Sequence, residues 1–225
     1  MLSPSALLFI AVIGIVIPVL AASGKRKLDT GIVVPRVPLY IETIILQSCL
    51  LLLSVWTARA NGITLANSVD VRPRNLLFAG TLLVLALAGM LLADRYSSAS
   101  TRLRLYAIIP INRDQRVLWI GVCAAAAISE EATYRGVLFA VTETMARSWW
   151  IAAVITALIF ALAHLIQGWK STVVVAIFGF AFQLLVLQSG GLYMAMIVHF
   201  LYDLITGFYL GPRAARMTAD DNAIV

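Results

Sequence analysis

The chain has 225 residues, of which 61% are hydrophobic and 12% charged, and that charged share is about half of what a soluble domain carries. An ordinary soluble fold is therefore excluded, because the apolar residues come in long blocks rather than at amphipathic spacing. The net charge of +6 gives no support for nucleic-acid binding, since the Lys and Arg lie between the apolar blocks, where topology and lipid headgroups account for them.

The first block, Ser5–Ala22, resembles a signal peptide in length only. No Lys or Arg precedes Lys25, and the basic cluster Lys25-Arg26-Lys27 follows the apolar run, so the segment reads as a retained transmembrane helix. Further blocks run Val37–Ala58, Leu76–Ala93, Val117–Ala140, Trp149–Ile166, Thr172–Leu187 and Leu192–Leu210. A spanning helix needs about 20 mostly apolar residues, and these blocks are too long and uniform for barrel strands. The expected fold is an all-α polytopic transmembrane bundle of about seven helices, an eighth being left open, with the site inside the bundle. The sixth block is the short one. The long connection Asp94–Arg116 alternates Arg102 and Arg104 with Leu103, Leu105 and Tyr106, a composition suited to an interfacial helix. No internal repeat divides the chain, so residues 1–225 are read as one domain. Cys49 and Cys123 both sit in apolar segments as small hydrophobes, with no disulfide or metal pattern.

Twelve cations (Lys25, Arg26, Lys27, Arg36, Arg95, Arg102, Arg104, Arg113, Arg116, Lys170, Arg213, Arg216) fall on one side of the alternating blocks, and four (Arg59, Arg72, Arg74, Arg147) on the other. The richer side is expected to be cytoplasmic, with the N-terminus outside and the C-terminus inside. The chain lacks eukaryotic-style extensions, so a prokaryotic plasma membrane is the expectation.

Ionisable groups at depth in a membrane mark a site or a pairing. Glu131 and Arg135 are four apart on one helix face and are expected to form an ion pair. Glu130 points about 100° away, lacks that local counter-charge, and is left as a candidate general base. His199 and Asp203 also share a face, where the carboxylate can fix the imidazole. His164, four residues after Phe160, is the other of the two histidines. At that spacing Phe160 reads as packing. Glu42, with Gln47 five residues on near the start of the second block, reads as a snorkelling or interfacial residue, and Tyr134, Glu143 and Gln183 carry no discriminating signal. Glu130, His164, His199 and Asp203 are expected to face one cavity. Counted from the starts of their blocks, however, Glu130 and His164 lie about 10 Å apart along the membrane normal.

Taken in order on separate blocks, E-E-x-x-x-R (Glu130, Glu131, Arg135), F-x-x-x-H (Phe160, His164) and H-x-x-x-D (His199, Asp203) resemble the CPBP family. These are the CAAX-protease and bacteriocin-processing, or Abi, membrane proteases. The likeness covers about Ile109–Gly211, the motif-bearing core. It implies an intramembrane glutamic endopeptidase with Glu130, His164, His199 and Asp203 as catalytic residues, no cofactor, and a membrane-associated peptide or protein as partner. Asp203 stands where the prenyl-protein-processing branch has Asn, and a non-prenylated substrate is the expectation. Two alternatives stay open. A zinc-dependent protease would need ligands gathered from three helices, without H-E-x-x-H. A non-catalytic chaperone, immunity or scaffold protein would scatter the two histidines onto different interfaces.

Overall fold

The computed structural model describes residues 2–30, 35–65 and 69–222, the side chains of 99–100, 103–104 and 217–222 excepted. Eight helices form among the described residues. We label them α1 (Pro4–Asp29), α2 (Arg36–Ala60), α3 (Pro73–Tyr96), α4 (Ala99–Ile108), α5 (Arg113–Ala146), α6 (Trp149–Ala163), α7 (Trp169–Ser189) and α8 (Tyr193–Asn222). Six of them, α1, α2, α3, α5, α7 and α8, are long and apolar enough to cross a membrane. The chain is an integral, multi-pass membrane protein.

The short helix is α6, the fifth block, and not the sixth as the sequence suggested. It has 15 residues, about 22 Å of rise, and stops at His164. The polypeptide then makes a 3-10 turn, Leu165–Gln167, and at Gly168 adopts φ 93°, which only glycine accommodates readily. That turn lets α7 begin earlier than its apolar run, at Trp169. The long connection does contain a helix, α4, capped by Ser98, whose hydroxyl accepts from the Thr101 N–H at 3.3 Å.

Polar contacts sort the connections onto two ends. At one end Arg36 donates to the carbonyls of Ile109 and Tyr106, Tyr40 to that of Ile108, and the Tyr106 hydroxyl to Asp94. This end carries α4, the α6–α7 turn and the close of α8. The opposite end joins Ser3 and Ser5 to Asn61, and the Asp70 N–H to the Ser189 carbonyl.

Lipid supplies no hydrophobic drive between helices, so small residues that allow close approach hold such bundles together. Ala157 faces α7 in this way, and a Cβ on Gly179 would lie 3.4 Å from the Ala157 Cα. Helix α5 is the centre of the bundle. Its first half packs on α2 and α8, its second half on α2 and α6. Between Glu131 and Leu138 it widens into a π-helix, a departure that is rare and often found at functional sites.

Candidate active site

The π-helical segment is almost wholly buried: Glu131, Ala132, Thr133, Tyr134, Arg135, Val137 and Leu138 are all inside. Glu131 is fully enclosed and accepts from Arg135 Nη1 at 3.2 Å. The guanidinium lies 4.1 Å from the Phe160 ring centre and 5.4 Å from that of Phe182. Two aromatic faces and one carboxylate thus compensate a cation buried beside hydrocarbon.

Glu131 does more than pair with Arg135. The same Oε1 is 2.9 Å from His199 Nδ1, while His199 Nε2 is 3.4 Å from Asp203 Oδ2. His199 is held between two carboxylates, one from its own helix and one from α5, which leaves the ring placed as a donor on both sides. Asp203 is fixed in turn by α5, since Trp119 Nε1 donates to its carbonyl at 3.2 Å. A side chain at Gly207, one turn on, would collide with that indole.

His164 ends α6. Its Nδ1 is 2.8 Å from the Phe160 carbonyl, an acceptor only, so Nδ1 carries the hydrogen and Nε2 presents its lone pair inward. Phe160 packs edge-on against Tyr134 at 4.9 Å, as a packing residue should, but its carbonyl also sets the tautomer of His164.

Both imidazoles converge on Glu130. Its Oε2 lies 3.8 Å from His164 Nε2 and 3.9 Å from His199 Nε2, with no hydrogen-bond partner among the described side chains. Its Oε1 accepts from Gln47 Nε2 on α2 at 2.7 Å. Gln47 had no signal in the sequence beyond being an amide within an apolar block, and its partner is 83 residues away. The expected offset in depth between Glu130 and His164 is absent, because the two arms are measured from the turn they share and not from the starts of their apolar runs. Helix α5 continues to Ala146, and the hairpin turns at Arg147 in the left-handed conformation, φ 50°. Counted from Arg147, the two residues are equally far along their arms.

A cavity of about 260 Å³ runs from this cluster to the end of the bundle that carries α4. Glu131, Arg135, Phe160, His164, His199 and Asp203 line its inner part. Ala86, Gly89, Met90, Val174 and Phe178 form an apolar wall between α3 and α7, and Asp94, Ile108, Gln167 and Lys170 lie towards the mouth. Glu130 is not part of the wall, contrary to the expected arrangement, but stands in contact range of two imidazoles that are.

Ser129 is fully buried beside Glu130 with its hydroxyl unpartnered, and Glu42 points outward from α2. Among the described residues no group of three or more His, Cys, Asp and Glu side chains is gathered as a metal site.

Residues 112–205 match the family model of the type II CAAX prenyl endopeptidase Rce1-like proteins. No curated protein and no solved structure matches the chain. All three motifs, from the paired glutamates to Asp203, fall within the matched stretch, and it is over residues 112–205 that the chain is similar to the Rce1-like CAAX-type membrane proteases.

Proposed function

We propose that the chain is an intramembrane endopeptidase that hydrolyses a peptide bond of a membrane-associated peptide or protein with water activated by Glu130 and without a resident metal. The observation that carries this reading is the convergence of two Nε2 atoms on one free carboxylate oxygen, at 3.8 and 3.9 Å. Those spans are too long for direct hydrogen bonds and suit a bridging water.

Glu130 Oε2 takes a proton from that water while His164 Nε2, held as an acceptor, orients it. The hydroxide attacks the scissile carbonyl. His199 donates to the developing oxyanion and then to the leaving amine, and Glu131 and Asp203 stabilise the charge on its ring. The apolar wall between α3 and α7 receives the lipid-embedded part of the substrate. The basic end faces the cytoplasm, so substrates arrive from that side, with the N-terminus outside and a prokaryotic plasma membrane as the setting.

The test is cleavage of a membrane-anchored peptide, farnesylated or unmodified, by purified protein with and without a strong chelator. We expect chelator-resistant cleavage that disappears in Glu130→Gln at equal protein level. Full activity in that variant would end the mechanism, and zinc-restored, chelator-sensitive activity would replace it with a metalloprotease. A preference for the farnesylated peptide would overturn the expectation of a non-prenylated substrate.

A further inference from the structure

Gln47 lies eleven residues into α2, about 16 Å from the end of the helix at 1.5 Å per residue, on the face that meets α5. The same face holds a second side-chain hydrogen bond with α5, between Ser54 and Thr133 at 2.8 Å. The two differ in kind. Ser54 also bonds the Leu50 carbonyl, so its hydroxyl is spent within structure. Gln47 is buried, gives its N–H to Glu130 Oε1 at 2.7 Å, and leaves its own Oε1 without a partner. A carboxylate oxygen only accepts, so the NH₂ group must face it. The carboxylate of Glu130 is thereby made unsymmetrical. One oxygen is tied to α2, and the other is turned towards both histidines.

We propose that Gln47 is a positioning residue for the hydrolytic reaction: its N–H clamps Glu130 Oε1 and so reserves Oε2, in one fixed orientation, for the water between His164 and His199. This rests on the hydrolysis reading above. In this reading Gln47 acts through Glu130, the side chain to which its N–H is bonded.

Three substitutions separate clamping from packing. Gln47→Met keeps length and removes the donor, Gln47→His restores a donor at similar reach, and Gln47→Glu places a second carboxylate against the first. Ser54→Ala removes the other α2–α5 bond as a structural control. The full chain in detergent is read in two ways: the infrared carboxylate stretch of Glu130, identified by its loss in Glu130→Gln, and kcat and KM on whichever of the farnesylated or unmodified quenched peptides is cleaved. Gln47→Met should move the band and lower kcat about 10- to 100-fold, the scale of a hydrogen bond to a charged group, with KM little changed. Gln47→His should recover most of that loss, Gln47→Glu should be the worst, and Ser54→Ala should leave band and kcat alone. An unmoved band in Gln47→Met, or a kcat within about twofold of the unsubstituted protein, overturns the proposal. If Gln47→Met does not fold, an unmoved band in Gln47→Glu overturns it. If neither peptide is cleaved, the hydrolysis reading falls, and the infrared result alone decides whether Gln47 orients Glu130.

Discussion

Two polar clusters in this bundle look alike in composition and differ in what they leave open. At the end opposite α4, Ser3, Ser5 and Asn61 bond one another at 2.6 to 3.1 Å, and Asn61 also donates to the Thr57 carbonyl. The side-chain oxygens of Ser3, Ser5 and Asn61 all find partners within this network, and only the neighbouring Thr57 hydroxyl is left without one among the described residues. In the interior, Glu130, Glu131, His164, His199 and Asp203 converge from three helices, yet Glu130 Oε2 and Glu131 Oε2 have no partner among the described side chains. Polar groups placed in an apolar medium normally find partners. A cluster that satisfies itself is built to hold helices together. One that keeps carboxylate oxygens free, and aims two imidazoles at one of them, is built to meet something else.

The largest effect that sharpens this contrast is at Glu130. Glu130→Gln keeps shape and hydrogen bonding and removes the proposed base, so cleavage should fall by about 10²–10⁴-fold or more with the melting midpoint unchanged. A comparable loss on removing a polar group at the opposite end would erase the distinction. His164→Ala should cost a similar factor in rate, while Ser129→Ala and Cys123→Ala, neither of which touches the converging atoms, should leave turnover near its original value.

Next in size is the buried ion pair. Arg135→Ala strands the Glu131 carboxylate, and breaking one partner of such a pair costs roughly 3–5 kcal/mol. The folded yield in detergent should drop, and His199, bonded to the same oxygen, should lose its orientation. Full stability with full activity would show that Glu131 needs no cation beside it.

Asn61→Ala removes the hub of the self-satisfied cluster and should lower stability by about 1–3 kcal/mol, visible as an earlier thermal transition, with kcat and KM intact. A change in kcat would mean that the two ends are coupled.

The smallest effect is expected at Asp70, where the Arg72 guanidinium holds the carboxyl down at about 2. A carboxyl lowered in the folded state contributes stability above its ordinary range, near 4, and loses it as pH falls towards 2. At neutral pH Asp70→Asn should shift the transition only marginally, since exposed pairs contribute little. Acid unfolding that begins earlier in the variant at pH 3 to 4 would show that the pair matters more than its exposure suggests.

Much of this was legible in the sequence because membrane helices announce themselves by composition. The spacing of Glu131 and Arg135 is likewise a property of one helix, readable without knowing its neighbours. What could not be read depends on contacts between helices. Periodicity says that Gln47 and Glu130 lie on helices and says nothing of which faces meet. The sharing of one Glu131 oxygen by Arg135 and His199 arises only when α8 is docked. The π-helical widening has no compositional mark, since Glu131–Leu138 reads as ordinary helix. The supposed depth offset came from measuring two antiparallel arms from the beginnings of their apolar runs, when their common origin is the turn that joins them.

That turn has a consequence for how the chain can vary in length. Glu130 and His164 each stand 17 positions from Arg147, so the α5–α6 hairpin behaves as a pair of callipers whose jaws close only if both legs are equal. Each residue gained or lost in one leg moves its jaw about 1.5 Å and swings it about 100°, enough to part the carboxylate from the imidazole. An insertion or deletion in one leg alone is therefore expected to open the site, wherever along that leg it falls.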